Sequence, residues 1–425
     1  MLIQFNFKNF KSFRDEVSLD LTATRITEHH DHIEKVANEK ILKTAVIYGA
    51  NASGKSNVYE AFKFMSIYVM ESFKYGDEIK EENKENISKP LLTPFKFDDT
   101  SKNGSSTFEV FYTINNDPHQ KTYQYGFTLN NERVLEEWLY YKSKTSKEYF
   151  PLFERSDNDT NIHFYKDLKK YEQNIKMSLE RECLIVSLGA KLKVEPLKEV
   201  RDWFISNEVI DFGNPIENFL YSRMLPNKFV EDEDVRKEVV DYFNCFDKSI
   251  KEIDAKKVEN IDNKGKNYIK VDSFHKMYDS EEFESIPLEQ ESSGTLKMFS
   301  LFQLLKDVLR KGSILFVDEL NARLHPLLVR DIILTFSNKE INTKKAQLIF
   351  TTHDVWQLSS NLFRRDEIWF TNKDSNGIST LYSLVDFADD EGTKIRKDEN
   401  YAKNYLLGNY GAIPELKGFY IFKGM

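Results

Sequence analysis

The chain has 425 residues, of which 40% are hydrophobic and 30% charged, with a formal net charge of −9. That length supports a substantial core and two or three structural units, and the acidic balance argues against a generally basic nucleic-acid binder while leaving room for a local basic groove. Cys183 and Cys245 cannot make a disulfide framework, no apolar run approaches a membrane span, and Met1–Phe5 runs straight into alternating strand, so a cytoplasmic protein without a signal peptide or membrane partner is expected.

In chain order, Ile3, Phe5 and Phe7 alternate with polar residues as a half-buried strand, and Val17–Leu21 forms a second strand after the turn-like Lys11–Asp15. The polar stretch Thr27–Lys40 carries His29, His30 and His32. The trio suggests a metal site, but no cysteine or carboxylate spacing supports one, so the stretch reads as a solvated loop. Thr44–Tyr48 is then a buried strand that breaks at Gly49, and beyond Gly54 the residues Val58, Ala61, Phe62 and Met65 recur at helical spacing. Strand, glycine-bounded loop and helix is the context required by the pattern G-x-x-x-x-G-K-[ST]. Gly49 and Gly54 let the backbone N–H groups turn inward around a phosphate, and the helix N-terminus adds its positive end. The nucleotide cradle therefore comprises Gly49, Asn51, Ala52, Ser53, Gly54, Lys55, Ser56 and Asn57. Lys55 is placed on the β/γ-phosphates, and the Ser56 hydroxyl is a ligand for Mg²⁺.

Asp77–Lys89 is a charged run expected to be an exposed face. Pro94–Tyr149 is β-rich, with a hairpin of Thr107–Ile114 and Thr122–Leu129 about Asn115–Pro118, and Val134–Tyr141 continuing the sheet. From Arg155 to Asp247 the pattern is helical and densely charged, with Leu197, Val200, Trp203 and Phe204 on one face and Val235, Val239, Tyr242 and Phe243 on another. Ile250–Val258 and Asn267–Phe274 read as a further hairpin around Asp262–Gly265. The expected organisation is an N-terminal head segment 1–154, a helical insertion 155–247 and a C-terminal head segment 248–425.

The stretch Glu289–Thr295 precedes an amphipathic helix carrying Leu296, Phe299, Phe302, Leu305 and Leu309, stopped at Lys311-Gly312. Ser313–Val317 is a fully apolar strand that delivers Asp318-Glu319 to its C-terminal end, where ligands lie in open α/β sheets. Asp318 would hold Mg²⁺ as the acid of a Walker B strand, and Glu319 would polarise the attacking water as general base. A third strand, Gln347–Thr352, delivers His353-Asp354, and His353 is read as the contact to the γ-phosphate.

Together these pieces resemble the ABC-type ATPase heads of the RecF/SMC group. Asn9–Phe13 resembles their opening motif, Gly49–Ser56 their Walker A, Ser292–Thr295 their signature, Phe316–Glu319 their Walker B and His353 their switch histidine. Asp318–Pro326 and Tyr405–Pro414 resemble, more narrowly, the bacterial family containing the abortive-infection ATPase AbiLi and the restriction-locus protein RloA. The chain departs from the group in several places. Only Ser292 and Gly294 match the usual Leu-Ser-Gly-Gly-Gln, Asn321 replaces the Asp often found after Walker B, and Gln124, placed mid-strand, is a poor Q-loop residue. No long heptad repeat exists, so the coiled-coil arms of SMC proteins are absent, and the tail after His353 leaves no room for a Toprim nuclease domain.

The resemblance implies an α/β fold: an ABC-type P-loop ATPase head with a β-rich lobe and a helical insertion. It implies slow ATP hydrolysis with Mg²⁺, catalysed by Glu319, His353 and Lys55. Lys11 would contact nucleotide, and Ser292 with Gly294 would serve the nucleotide held by the partner protomer in a homodimer or higher homo-oligomer. The setting it implies is antiphage defence, with ATP-dependent dimerisation controlling a separately encoded effector, often nuclease-like. A RecF/SMC-like clamp that binds nucleic acid in DNA repair or recombination is the alternative.

Overall fold

The computed structural model describes residues 1–75, 89–115, 117–156, 161–221, 223–258, 268–388 and 394–413. The charged run Asp77–Lys89 except Lys89, Asn116 of the first hairpin turn, the turn Asp262–Gly265 and Pro414 lie outside the described residues.

The chain opens with β1 (Leu2–Lys8), β2 (Val17–Asp20), β3 (Ile33–Val36), β4 (Glu39–Leu42) and β5 (Thr44–Gly49). After the P-loop helix (Lys55–Glu71) come β6 (Ser106–Thr113), β7 (Thr122–Leu129), β8 (Val134–Lys142), β9 (Phe150–Arg155) and β10 (Ile162–Phe164). Helices then lead to β11 (Glu208–Asp211), followed by β12 (Ile250–Val258), β13 (Tyr268–Lys276) and β14 (Phe283–Pro287). The signature helix (Ser293–Lys311) precedes β15 (Ile314–Asp318), β16 (Gln347–Thr351), β17 (Ile368–Lys373) and β18 (Ser379–Ser383).

Two large sheets organise these strands. The first is antiparallel, of order β10-β9-β8-β7-β6-β1-β2; the second, of order β11-β15-β16-β5-β17-β18, is parallel except for β18. Every residue of β5, β15 and β16 is buried, as expected of parallel strands covered on both faces. Successive side chains alternate between two cores. Ala45, Ile47, Phe316 and Ile349 enter the first; Val46, Tyr48, Leu315, Val317, Leu348 and Phe350 enter the second.

The P-loop helix fills the space between the sheets. Its Tyr59 and Phe62 meet Phe316 of β15, with ring centroids 5.6 Å apart in each case. Phe62 also meets Phe5 of β1 at 5.3 Å, and Phe64 meets Phe108 of β6 at 5.0 Å. The signature helix covers the opposite face of the parallel sheet with Phe299, Leu301, Leu305 and Val308.

Segment 155–247 carries the expected helices and also more. Helix Glu195–Ser206 turns Leu197, Val200, Trp203 and Phe204 into the first core, with Trp203 4.2 Å from Tyr112. Helix Glu233–Asn244 puts Val239 and Phe243 in the second. The same segment lends β10 to one sheet and β11 to the other, so it is continuous with both cores. At four residues β11 is too short for its alternation to stand out from helical periodicity. The expected hairpin is present as β12 and β13, joined by β14 in a separate three-stranded sheet.

The histidine stretch corrects the reading of a solvated loop. His32 is 2% exposed, and its Nδ1 lies 2.9 Å from a carboxylate oxygen of buried Glu367. The partner stands far along the chain, where local spacing cannot reveal it. Among the described residues no helix is long and apolar enough to cross a membrane.

Candidate nucleotide site

The parallel sheet brings the ends of β5, β15 and β16 side by side, and with them the three sequence motifs. Gly49 closes β5 so tightly that a Cβ there would lie 2.4 Å from Thr371 Oγ1 on β17. Gly54 has φ +117°, a left-handed conformation, and a Cβ there would lie 2.7 Å from Ser379 Oγ. That hydroxyl donates to Ser53 O and accepts from Ser12 Oγ, each at 2.7 Å, while Asn57 Nδ2 donates to Ser12 Oγ at 2.6 Å. The opening motif and β18 therefore hold the loop from outside, leaving its inner side to a ligand. Asn51 and Ala52 are exposed at the loop tip, Ala52 with φ 63°.

Lys55 is buried within this loop. Its Nζ donates to Gly49 O at 2.9 Å and Ala50 O at 3.2 Å, and it lies 3.4 Å from His353 Nδ1. Burial lowers its pKa to about 8, against the opposing pull of Glu319 and Asp318. Ser56 hydrogen-bonds Asp318, and Thr351 Oγ1 donates to Asp318 Oδ1 at 2.5 Å. Burial raises the Asp318 pKa, with the hydrogen bonds opposing, and the charges of Asp211 and Glu319 raise it further. Glu319 sits at φ 56°, its backbone N–H donating to Thr351 Oγ1 at 2.9 Å, and its Oε1 is 2.9 Å from His353 Nε2. A non-glycine residue held in this region is typical of sites where surrounding structure fixes a side chain.

Lys55, Ser56, Asp318, Glu319 and His353 are thus one cluster. An inward-turned loop with a lysine, beside a hydroxyl bonded to a buried carboxylate, is a donor set that fits a polyphosphate with Mg²⁺, with Ser56 and Asp318 as the metal's protein ligands.

Ser292 and Gly294 stand apart from this cluster in their hydrogen bonding. Ser292 caps the signature helix, accepting from Thr295 N at 3.1 Å, and is exposed. Gly294 faces the Arg323 carbonyl beyond Walker B, with room for a Cβ at 3.6 Å. Lys11 forms an ion pair with Glu60 on the P-loop helix. Gln124 lies on β7 in the other sheet, donating to Glu109 at 2.7 Å, so it is not at the nucleotide site.

Sequence reasoning missed Asp211. It closes β11 and pairs in parallel register with Asp318, and a Cβ on the following Gly213 would lie 3.2 Å from Glu319 Cγ. Val209-Ile210 ending in an acid before a glycine was the available signal. Lys297 of the signature helix was also missed. It donates to Asn218 Oδ1 at 2.8 Å just beyond that loop, and burial lowers its pKa to about 6.

A parallel sheet bringing a glycine-bounded phosphate loop, the Asp318-Glu319 pair and a strand-end histidine together at the C-terminal ends of its strands has the fold of an ABC-type P-loop ATPase head. The chain belongs to the family described as "AAA domain, putative AbiEii toxin, Type IV TA system", which matches residues 45–355. Among solved structures it is similar to an Smc head bound to the C-terminal winged-helix domain of ScpA, at 12% identity and TM-score 0.42, covering 90% of this chain and 97% of that one. A second is the Smc head with an extended coiled coil bound to the C-terminal domain of ScpA, derived from Pyrococcus furiosus, at 14% identity and TM-score 0.39, covering 90% and 96%. No curated protein matches the chain.

Proposed function

We propose that this chain binds ATP with Mg²⁺ and hydrolyses it slowly, and that nucleotide-dependent homodimerisation controls a separately encoded effector in antiphage defence. The observation carrying the first part is the convergence of Lys55, Ser56, Asp318, Glu319 and His353 at adjoining strand ends. Ser56 and Asp318 would hold Mg²⁺, which when bound would neutralise phosphate charge. Lys55 leaves the Gly49 and Ala50 carbonyls to meet the β/γ-phosphates. Glu319 accepts a proton from water as its oxygen bonds to the γ-phosphorus and the bond to the β–γ bridging oxygen breaks, releasing ADP. His353 holds the Glu319 carboxylate in place.

The dimer and the defence role are supported by the exposure of Ser292, which makes no hydrogen bond to the Lys55 cluster among the described residues, by the matching family's printed toxin context, and by the resemblance to the AbiLi/RloA proteins. The test is Glu319→Gln. ATP binding is retained and turnover falls by about 10²–10⁴-fold; wild-type turnover removes Glu319 from the role of base.

A further inference from the structure

We propose that His29, Asp31 and His32 form a binding site for a transition metal ion of the zinc class, separate from the nucleotide site. One donor atom from each of the three side chains lies within 4.8 Å of the others. His29, at φ 38°, turns its ring onto that of His32, with centroids 4.8 Å apart.

The hydrogen bonds fix which nitrogens are free. His29 Nε2 lies 2.8 Å from the carbonyl oxygen of Ser360. A carbonyl only accepts, so Nε2 carries the hydrogen and Nδ1 keeps its lone pair. His32 Nδ1 lies 3.0 and 2.9 Å from the two oxygens of Glu367, so Nδ1 is the donor there and the neutral ring presents Nε2. His32 Nε2 has no hydrogen-bond partner among the described residues and keeps an opening to solvent, although His32 as a whole is 2% exposed. A buried carboxylate gripping the far nitrogen of an imidazole is the arrangement that orients histidine ligands toward a metal. The Asp31 carboxylate likewise makes no hydrogen bond among the described residues; Lys43 donates instead to its backbone carbonyl, at 3.0 Å.

Two imidazole nitrogens and one carboxylate oxygen suit Zn²⁺, Co²⁺ or Ni²⁺ and not Mg²⁺ or Ca²⁺. In a tetrahedral site, bonds near 2.1 Å place neighbouring ligand atoms about 3.4 Å apart. Half-exposed His29 and exposed Asp31 can close the difference by rotating, while His32 stays pinned by Glu367. Water takes the fourth position. The bound ion would tie the loop before β3 to the 360–367 loop that follows His353 and leads into β17.

The full chain, stripped with a chelator and returned to Mg²⁺ buffer, is titrated with Co²⁺ and then Zn²⁺. Expected is saturation at about one equivalent with the visible absorption bands of four-coordinate Co²⁺, displacement by Zn²⁺, and a higher Tm with Zn²⁺. His29→Ala and Asp31→Asn, both away from the core, should weaken Zn²⁺ by at least about tenfold and abolish the Tm shift, and Lys55→Ala should leave both unchanged. Circular dichroism checks that the variants are folded. No Zn²⁺ binding by the wild-type chain, or binding that His29→Ala and Asp31→Asn leave intact, overturns the proposal and leaves His32 and Glu367 as a hydrogen-bonded pair.

Discussion

His353 Nε2 lies 2.9 Å from Glu319 Oε1, and Lys55 Nζ lies 3.4 Å from Nδ1 of the same ring. An ammonium only donates, so Nδ1 accepts and the hydrogen on Nε2 points at the carboxylate. The ring therefore links Lys55 to Glu319, the residue proposed as general base. His353→Ala should leave ATP affinity within about threefold while turnover falls on the order of 10²-fold, because Glu319 loses its orienting donor. Equal loss of binding and turnover, measured by nucleotide titration and phosphate release, would show instead that the ring acts by holding the loop.

How much of this was legible in the sequence follows from where each residue gets its role. Asp318 and His353 end or closely follow apolar runs, and Lys55 opens the helix after the glycine-bounded loop that follows another, so local pattern alone places all three. Asp211 takes its place only from register with Asp318, more than a hundred residues away. Lys297 depends on Asn218, and His32 on Glu367, in the same manner. Segment 155–247 read as an insertion because its helices are periodic, whereas the one strand that joins it to the ATPase sheet is four residues long. Local spacing carries information about strand ends; it carries none about which distant element pairs with them.

Lys55 gives a pH dependence with a definite sign. Burial lowers its pKa to about 8, so above that pH the free protein loses the charge that phosphates need. ATP affinity should be level between pH 6.5 and 7.5 and fall about tenfold by pH 9, with proton uptake on binding. Lys55→Arg keeps its charge and should bind with no such fall. For the free chain the same shift makes stability rise with pH from about 8 toward the unfolded value, since there the unfolded state holds the extra proton. Affinity independent of pH in the wild-type chain would mean that Lys55 stays charged in its folded-back position.

The loop's backbone is tested through Gly54. At φ +117°, with a Cβ only 2.7 Å from Ser379 Oγ, alanine has neither the conformation nor the space. Gly54→Ala should cost about 1–3 kcal/mol of stability and remove detectable ATP binding, since moving Ser379 releases its bonds to Ser53 and Ser12. Ser379→Gly in the same chain makes room without those bonds and should recover stability in part but not binding. Full binding by Gly54→Ala would show that the loop is set by other contacts.

The last prediction concerns the exposed signature. Ser292 caps its helix and is exposed, and the composite-site reading gives it the nucleotide of a partner protomer. Lys55→Ala and Ser292→Arg should then each fail to close when purified alone. In a mixed dimer, one site joins the Lys55→Ala loop to the Ser292→Arg signature and is doubly broken. The other joins an intact loop from the second protomer to an intact signature from the first. ATP-dependent closure, read by cross-linking, should return at one site per mixed dimer, once subunit exchange has been shown by affinity tags of two kinds. Hydrolysis is the poorer readout, because two sites coupled through one interface can require each other to fire. If both residues served the same protomer's nucleotide, every site in the mixture would contain a lesion and closure would not return.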